Sequence, residues 1–331
     1  MDILTTLQAL NACHGPAGDE KEVAAAIEKL AAPYADEITR DALGNLFVHK
    51  KGSGPRVMFA AHMDSIGFIV TYIDDKGFLR FGQLGGLHPQ SCLHTAVRFR
   101  SGVKGVVGAD GGVSPKDLKL SDLYIDIGAT SREEAEKLVK VGDTAVYDAG
   151  SFTMGQLLTS PYLDNRISCV VLLMALERLE RSENDLWFVF TVQEELGLRG
   201  ARPAAYRVDP KYGVAVDVTG SDDTPESTHG SSSVLGKGAA VKVMDGSVIC
   251  HPEMVRTLEQ LAQDKGIRAQ RDILRHGGTD AGAIHVSRSG VYTGGVSIPC
   301  RYIHSPVETA HLEDVEACAA LVAAFAQSKL D

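Results

Sequence analysis

The chain has 331 residues, is 44% apolar, and carries a formal charge of −10 with an isoelectric point near 5.6. That supplies a core for one large domain or two smaller ones, and the acidic balance argues against a nucleic-acid or anionic-membrane partner. The opening MDILTTLQALNACHG lacks a basic n-region and a clean apolar h-region, so it does not read as a secretion signal, and no apolar run is long enough to span a membrane.

In chain order, helix and strand alternate first. GDEKEVAAAIEKLAAPYA has an acidic first turn, apolar residues at helical spacing and Pro33 near its end, which predicts a helix. After the Gly-Pro turn of SGPRVMFAAHMD, the apolar run Val57 to Ala61 predicts a buried parallel strand. From about residue 67 the texture changes to short alternating strands separated by DKG and SG turns. One helix interrupts them, SREEAEKLV, with Ser131 and Glu134 spaced as a capping box. Residues 67–157 therefore read as a β-rich module inserted between the two parts, 1–66 and 158–331, of an α/β domain. In the second part ISCVVLLMALERLE predicts an apolar helix, and DLWFVFTV, YGVAVDV and SGVYTGGVSI predict strands. HPEMVRTLEQLAQDKG predicts an amphipathic helix closed by Gly266, and HLEDVEACAALVAAFAQSKL a final helix. TGSDDTPESTHGSSS reads as a surface loop, and no internal repeat is present.

Six scattered cysteines without a CxxC pair read as free thiols in a reducing compartment, the cytoplasm. The doublets Cys13-His14 and Cys250-His251 are weak ligand candidates, because adjacent side chains rarely point at one ion.

The stretch FVFTVQEELGLRGA is anomalous: an apolar strand ends in two carboxylates, Glu194 and Glu195. Like charges repel, and each costs free energy if removed from water. Either both are exposed or a positive partner meets them. Function in open α/β sheets gathers at the carboxyl ends of strands. Other polar groups follow apolar runs here: His62 and Asp64 in AAHMDS, Asp217 in VAVDV and His304 in IPCRYIHSPVE. Asp164 stands at a helix start in PYLDNRIS. Two imidazoles and several carboxylates suit a pair of divalent cations about 3.5–4 Å apart, bridged by one carboxylate. The donor mix fits zinc, cobalt or manganese. His62 and Asp64 emerge on the same side of an extended strand, so Asp64 can orient a ligating His62. Adjacent glutamates in an extended backbone point oppositely, leaving one as a ligand and the other to reach water. Plainer readings stand beside these: HxD is common, Glu-Glu pairs are usually solvated, Asp164 can cap its helix, Asp217 can be a turn or cap residue, and His304 can be a hydrogen-bonded loop histidine.

The motifs AAHMDSIGF, YLDNR, VQEELGLRGA, VAVDVT, GGTDAGAI and YIHSPVE occur in the order seen in the M42 family of metallo-aminopeptidases, and LYIDIGATSREEA resembles that family too. The resemblance runs nearly end to end. It implies a mixed-sheet α/β/α aminopeptidase domain with an inserted β-barrel-like domain that serves dimerisation and assembly. It implies two divalent metal ions per subunit, zinc or else cobalt or manganese. His62, Asp164 and Asp217 would hold one ion, and Asp164, Glu195 and His304 the other. Glu194 would be the general base, with Asp64 orienting His62. Subunits would form dimers that build a hollow tetrahedral dodecamer acting on short peptides with a free N-terminus. The chain departs from the family pattern at GKGAAVKV and GADGGVSPKDLKLSD, which bears on substrate preference and assembly. Gly278, Thr279 and Asp280 of HGGTDAG are expected in a glycine-rich substrate wall, or else as a helix-start loop. Arg288 or Arg301 would select acidic substrates if either faced the pocket. The alternatives are an N-acyl amino acid deacylase using the same metals and a non-catalytic peptide-binding shell.

Overall fold

The computed structural model describes residues 1–227 and 232–330. Part of the predicted surface loop, residues 228–231, lies outside the described residues; the remainder is a run of turns and bends after the strand Tyr212–Gly220.

Two β-structures organise the chain. The larger is a mixed sheet of eleven strands. At its centre Asp185–Thr191, Arg56–His62, Tyr212–Gly220 and Tyr292–Arg301 run parallel as neighbours, with Thr191 directly opposite His62. Antiparallel strands flank them, Leu46–Lys50 and Glu37–Arg40 on one side, Glu308–His311, Leu157–Ser160 and Phe152–Met154 on the other. Ala239–Met244 and Ala269–Ile273 branch from Tyr292–Arg301.

Helices cover both faces of this sheet, which is why its central strands are continuously apolar. Val57, Phe59 and Ala61 point into one core beneath the helices Leu163–Glu177 and Leu312–Gln327. The alternating Met58 and Ala60 enter the opposite core, closed by Ala201–Val208 and Ala281–Ile284. The helix Leu163–Glu177 is buried around its whole circumference from Leu163 to Leu176, its apolar run Cys169–Leu176 following the buried polar residues of its first turns. Pro252–Asp264 begins at His251, whose ring accepts from Glu253 N, and Gly266 follows it with φ +65°. The helix Arg132–Leu138 starts on Ser131 as predicted, but Glu134 accepts from Thr130 N and Oγ1 rather than from Ser131, so only half of the capping box forms.

The second β-structure is a closed antiparallel barrel of Gly67–Ile73, Leu79–Leu84, Leu123–Asp126, Lys104–Ala109, Ala96–Phe99 and Thr144–Tyr147. Phe68, Val70, Val97, Phe99 and Ile125 contribute to a core of its own. The barrel leaves the sheet just after His62, and Phe152–Met154 is already back in it. This placement brings the turn Gly85–Gly86 to the carboxyl edge of the parallel strands. No helix among the described residues is long and apolar enough to cross a membrane. All six cysteines are free, five of them buried.

Candidate metal centre

Each element delivers its polar residue to one edge of the sheet. His62 is the last residue of Arg56–His62, and Asp217 lies near the end of Tyr212–Gly220. His304 stands three residues past Tyr292–Arg301, in a turn where its own φ is +64°. Asp164 sits in the first turn of Leu163–Glu177 with non-helical dihedrals and does not cap that helix. Its two oxygens instead face two rings: Oδ1 is 3.1 Å from His62 Nε2, and Oδ2 is 3.3 Å from His304 Nε2.

The glutamates do not alternate as an extended strand would. Asp185–Thr191 ends before them, and Gln193 turns the chain with φ +53°. Both side chains consequently reach the same cluster. Glu194 Oε2 lies 3.8 Å from His62 Nε2, and Glu195 Oε1 lies 3.3 Å from His304 Nε2. Asp217 Oδ1 completes the set 3.7 Å from His62 Nε2. Two groups emerge, His62–Asp164–Asp217 and Asp164–Glu195–His304, each with donor atoms within 4.8 Å of one another and sharing Asp164. Neither Cys-His doublet contributes to a ligand group among the described residues.

Buried carboxylates meet more negative charge than two imidazoles can balance. Burial pushes Glu194 and Asp217 well above the usual carboxylate range, with neighbouring carboxylates adding to the effect. Burial raises Glu195 as well. Burial also opposes ionisation of Asp164, but the flanking His304 and His62 outweigh it and hold this carboxyl below its ordinary range. The rings respond in the opposite sense: against the cost of burial, Asp164 and Glu195 push His304 up to about 12. Glu195 Oε1 is buried with no partner but His304 Nε2 at 3.3 Å. Buried oxygens and imidazole nitrogens with more negative than positive charge make a donor set suited to divalent cations.

A further shell fixes these groups. His62 Nδ1 lies 3.2 Å from the Asp64 carbonyl oxygen and 3.4 Å from Asp64 Oδ1. Glu308 closes the motif YIHSPVE but was given no role from the sequence. It is buried and accepts from Asp164 N through Oε2 and from His304 N through Oε1, both at 2.8 Å. Glu20, also missed, accepts from Gln193 N at 3.2 Å, and burial together with Asp64 raises it to about 7. Arg166 is fully buried against Tyr162 and donates to the carbonyls of Leu10, Cys13 and Gly15, tying the N-terminal segment beneath Asp164.

The cluster opens into a cavity of 540 Å³. Gly278 lines it beside Gly277 and His276. Thr279 and Asp280 turn inward instead, Thr279 donating to Asp245 and Asp280 accepting from Thr191 at 2.5 Å. Arg301 pairs with Asp223 at 2.6 Å, and Arg288 stacks on Tyr206 beside Asp209; neither lines the cavity.

Comparison with known proteins gives the family. Residues 44–321 match the M42 glutamyl aminopeptidase family. A protein of Acetivibrio thermocellus is 47% identical over 315 residues, 95% of each chain. The aminopeptidase APDkam598 of Desulfurococcus kamchatkensis superposes with a TM-score of 0.95 at 37% identity, covering 98% of this chain and 94% of its own. The TET1 peptidase of Pyrococcus horikoshii, described as able to assemble into a tetrahedron or a large octahedral shell, superposes at 0.91 with 33% identity, covering 99% of this chain and 100% of its own. The chain therefore belongs to the M42 glutamyl aminopeptidase family and is an aminopeptidase, a hydrolase of peptide bonds.

Proposed function

We propose that the chain removes N-terminal residues from short peptides with a free α-amine, using two divalent cations. The position of Asp164 between two imidazoles carries this reading, because a single carboxylate with an oxygen toward each ligand group is what a bridged pair requires. His62, Asp164 and Asp217 would hold one ion; Asp164, Glu195 and His304 would hold the other, with zinc, cobalt or manganese all compatible with these donors. When bound, such ions supply Lewis acidity, polarising a carbonyl oxygen and making water a stronger nucleophile near neutral pH.

The remaining chemistry falls to the protein. Glu194 belongs to neither ligand group, yet its carboxylate borders the first one. It accepts a proton at Oε from the attacking water and passes it to the leaving amine. Its place beside the first ligand group, outside both sets, supports that role. Asp64 positions His62 and the glutamate turn. The substrate's α-amine sits near the cluster carboxylates, which restricts cleavage to the first residue. The N-acyl deacylase reading lacks this pairing and is not favoured by the comparisons.

The test is Glu194→Gln. It should bind both metals while kcat falls by about 10²–10⁴-fold. Full turnover with both ions bound would remove Glu194 as the base.

By the precedent of the TET1 peptidase, we further propose that dimers build a tetrahedral dodecamer through the barrel domain, which light scattering would test. The six unpaired thiols fit a cytoplasmic location.

A further inference from the structure

Resting on the aminopeptidase reading, we infer that the site takes an uncharged, apolar N-terminal residue, despite the glutamyl name of the family. Outside the metal cluster the cavity presents four apolar side chains, Leu198, Val218, Leu274 and Ile303. His276 is its one titratable side chain beyond the cluster among the described residues, and it is exposed. No lysine or arginine among the described residues lines the cavity.

Three nearby cations are committed elsewhere, and Arg275, between the lining residues Leu274 and His276, is exposed and does not line the cavity. Arg301 lies at 2.6 Å from Asp223, although Ile303, two residues later, reaches the cavity. Arg288 donates twice to the Tyr206 carbonyl and pairs with Asp209. Lys242 is held by Asp272 at 2.5 Å, and Asp272 in turn accepts from Thr219 of the cavity wall.

The opposite wall is largely backbone. Gly246 N donates to Gly277 O at 2.9 Å, and a Cβ on Gly246 would fall 2.5 Å from that oxygen. The buried Asp245 locks the two loops, accepting from Ser247 N, Val248 N and Thr279 Oγ1. Such a wall offers peptide groups and a fixed surface, but no charge.

An acidic side chain in this cavity would meet no lysine or arginine among the described residues. A basic one would find no carboxylate outside the metal cluster among the described lining residues. Either charge would be desolvated without a partner, whereas an apolar chain gains from burial.

The test is kcat/KM for leucyl-, methionyl-, glutamyl-, lysyl- and N-acetyl-leucyl-p-nitroanilides on the metal-loaded enzyme. Leucyl and methionyl substrates should exceed glutamyl and lysyl by at least tenfold, and Ile303→Arg should raise the glutamyl-to-leucyl ratio at least tenfold. A glutamyl or lysyl value within tenfold of leucyl in the wild type overturns the inference even if Ile303→Arg does not fold. An unchanged ratio in a folded Ile303→Arg removes Ile303 as the selecting residue. Cleavage of the N-acetyl substrate alone, or of none, instead overturns the aminopeptidase reading, and this inference with it.

Discussion

Asp64 holds the glutamate turn through both of its oxygens: Oδ1 accepts from Glu194 N at 3.0 Å and Oδ2 from Glu195 N at 3.2 Å. The same side chain lies 3.4 Å from His62 Nδ1. One fully buried carboxylate thus sets the position of a proposed ligand, a proposed base and a second proposed ligand. Asp64→Asn keeps the shape but replaces one acceptor with an amide. We expect metal affinity or kcat to fall by about 10–100-fold, with the fold retained by circular dichroism. Unchanged metal titration and turnover would show that Asp64 only fills space.

The barrel turn presses directly on the second ligand group. A Cβ on Gly86 would stand 2.7 Å from His304 Nδ1, and one on Gly85, where φ is +75°, 2.8 Å from Glu195 Oε2. Gly86→Ala should displace His304 and spare the group His62–Asp164–Asp217. Metal content measured by plasma mass spectrometry should fall from two ions toward one per subunit. Gly111→Ala is the control, because a methyl there meets nothing within 4 Å. Two ions in both variants would count against His304 as a ligand.

His14 is buried at the junction of sheet domain and barrel, 2.7 Å from Thr144 Oγ1 and 3.4 Å from Asp19 Oδ2. Burial outweighs Asp19 and lowers the ring from 6.5 to about 4. The unfolded chain therefore binds a proton between those values while the native one does not. Stability is fully present above pH 6.5 and is lost as pH falls toward 4. Urea unfolding of the metal-free protein should lose roughly 2–3 kcal/mol more between pH 7.5 and 4.5 in the wild type than in His14→Gln. Parallel pH curves would refute the assignment.

Lys242 and Asp272 form an ion pair with no solvent contact, Nζ to Oδ2 at 2.5 Å. Asp272→Asn strands a buried ammonium and should cost about 3–5 kcal/mol in denaturant unfolding. Lys242→Met combined with Asp272→Leu should recover most of that loss, because an apolar pair carries no desolvation penalty. A single mutant as stable as the wild type would mean that water reaches the lysine.

The alternation of apolar runs, turns and helix signals was legible from composition and periodicity, because burial on both faces of a sheet writes itself as an unbroken apolar strand. The six cluster residues were legible only as polar groups at strand ends and one helix start, and their roles came with the family motifs. The roles of Glu308, although it closes YIHSPVE, and of Glu20 were not legible, since they rest on accepting from backbone N–H groups, Asp164 N and Gln193 N, far away in the chain. The orientation of Glu194 and Glu195 was misjudged for a local reason: the left-handed Gln193 ends the extended geometry that would have set them on opposite sides.

By itself, the sequence determined the α/β rhythm, the inserted β-rich segment and which polar residues stand at strand ends, all of which depend on local pattern or short motifs. The tertiary structure alone decided that Asp164 would stand between His62 and His304, that Arg301 would be taken by Asp223, and that a barrel turn would lean on His304. These are long-range contacts fixed by how the strands order themselves in the sheet, and side-chain type at one position carries no record of what packs against it from a hundred residues away.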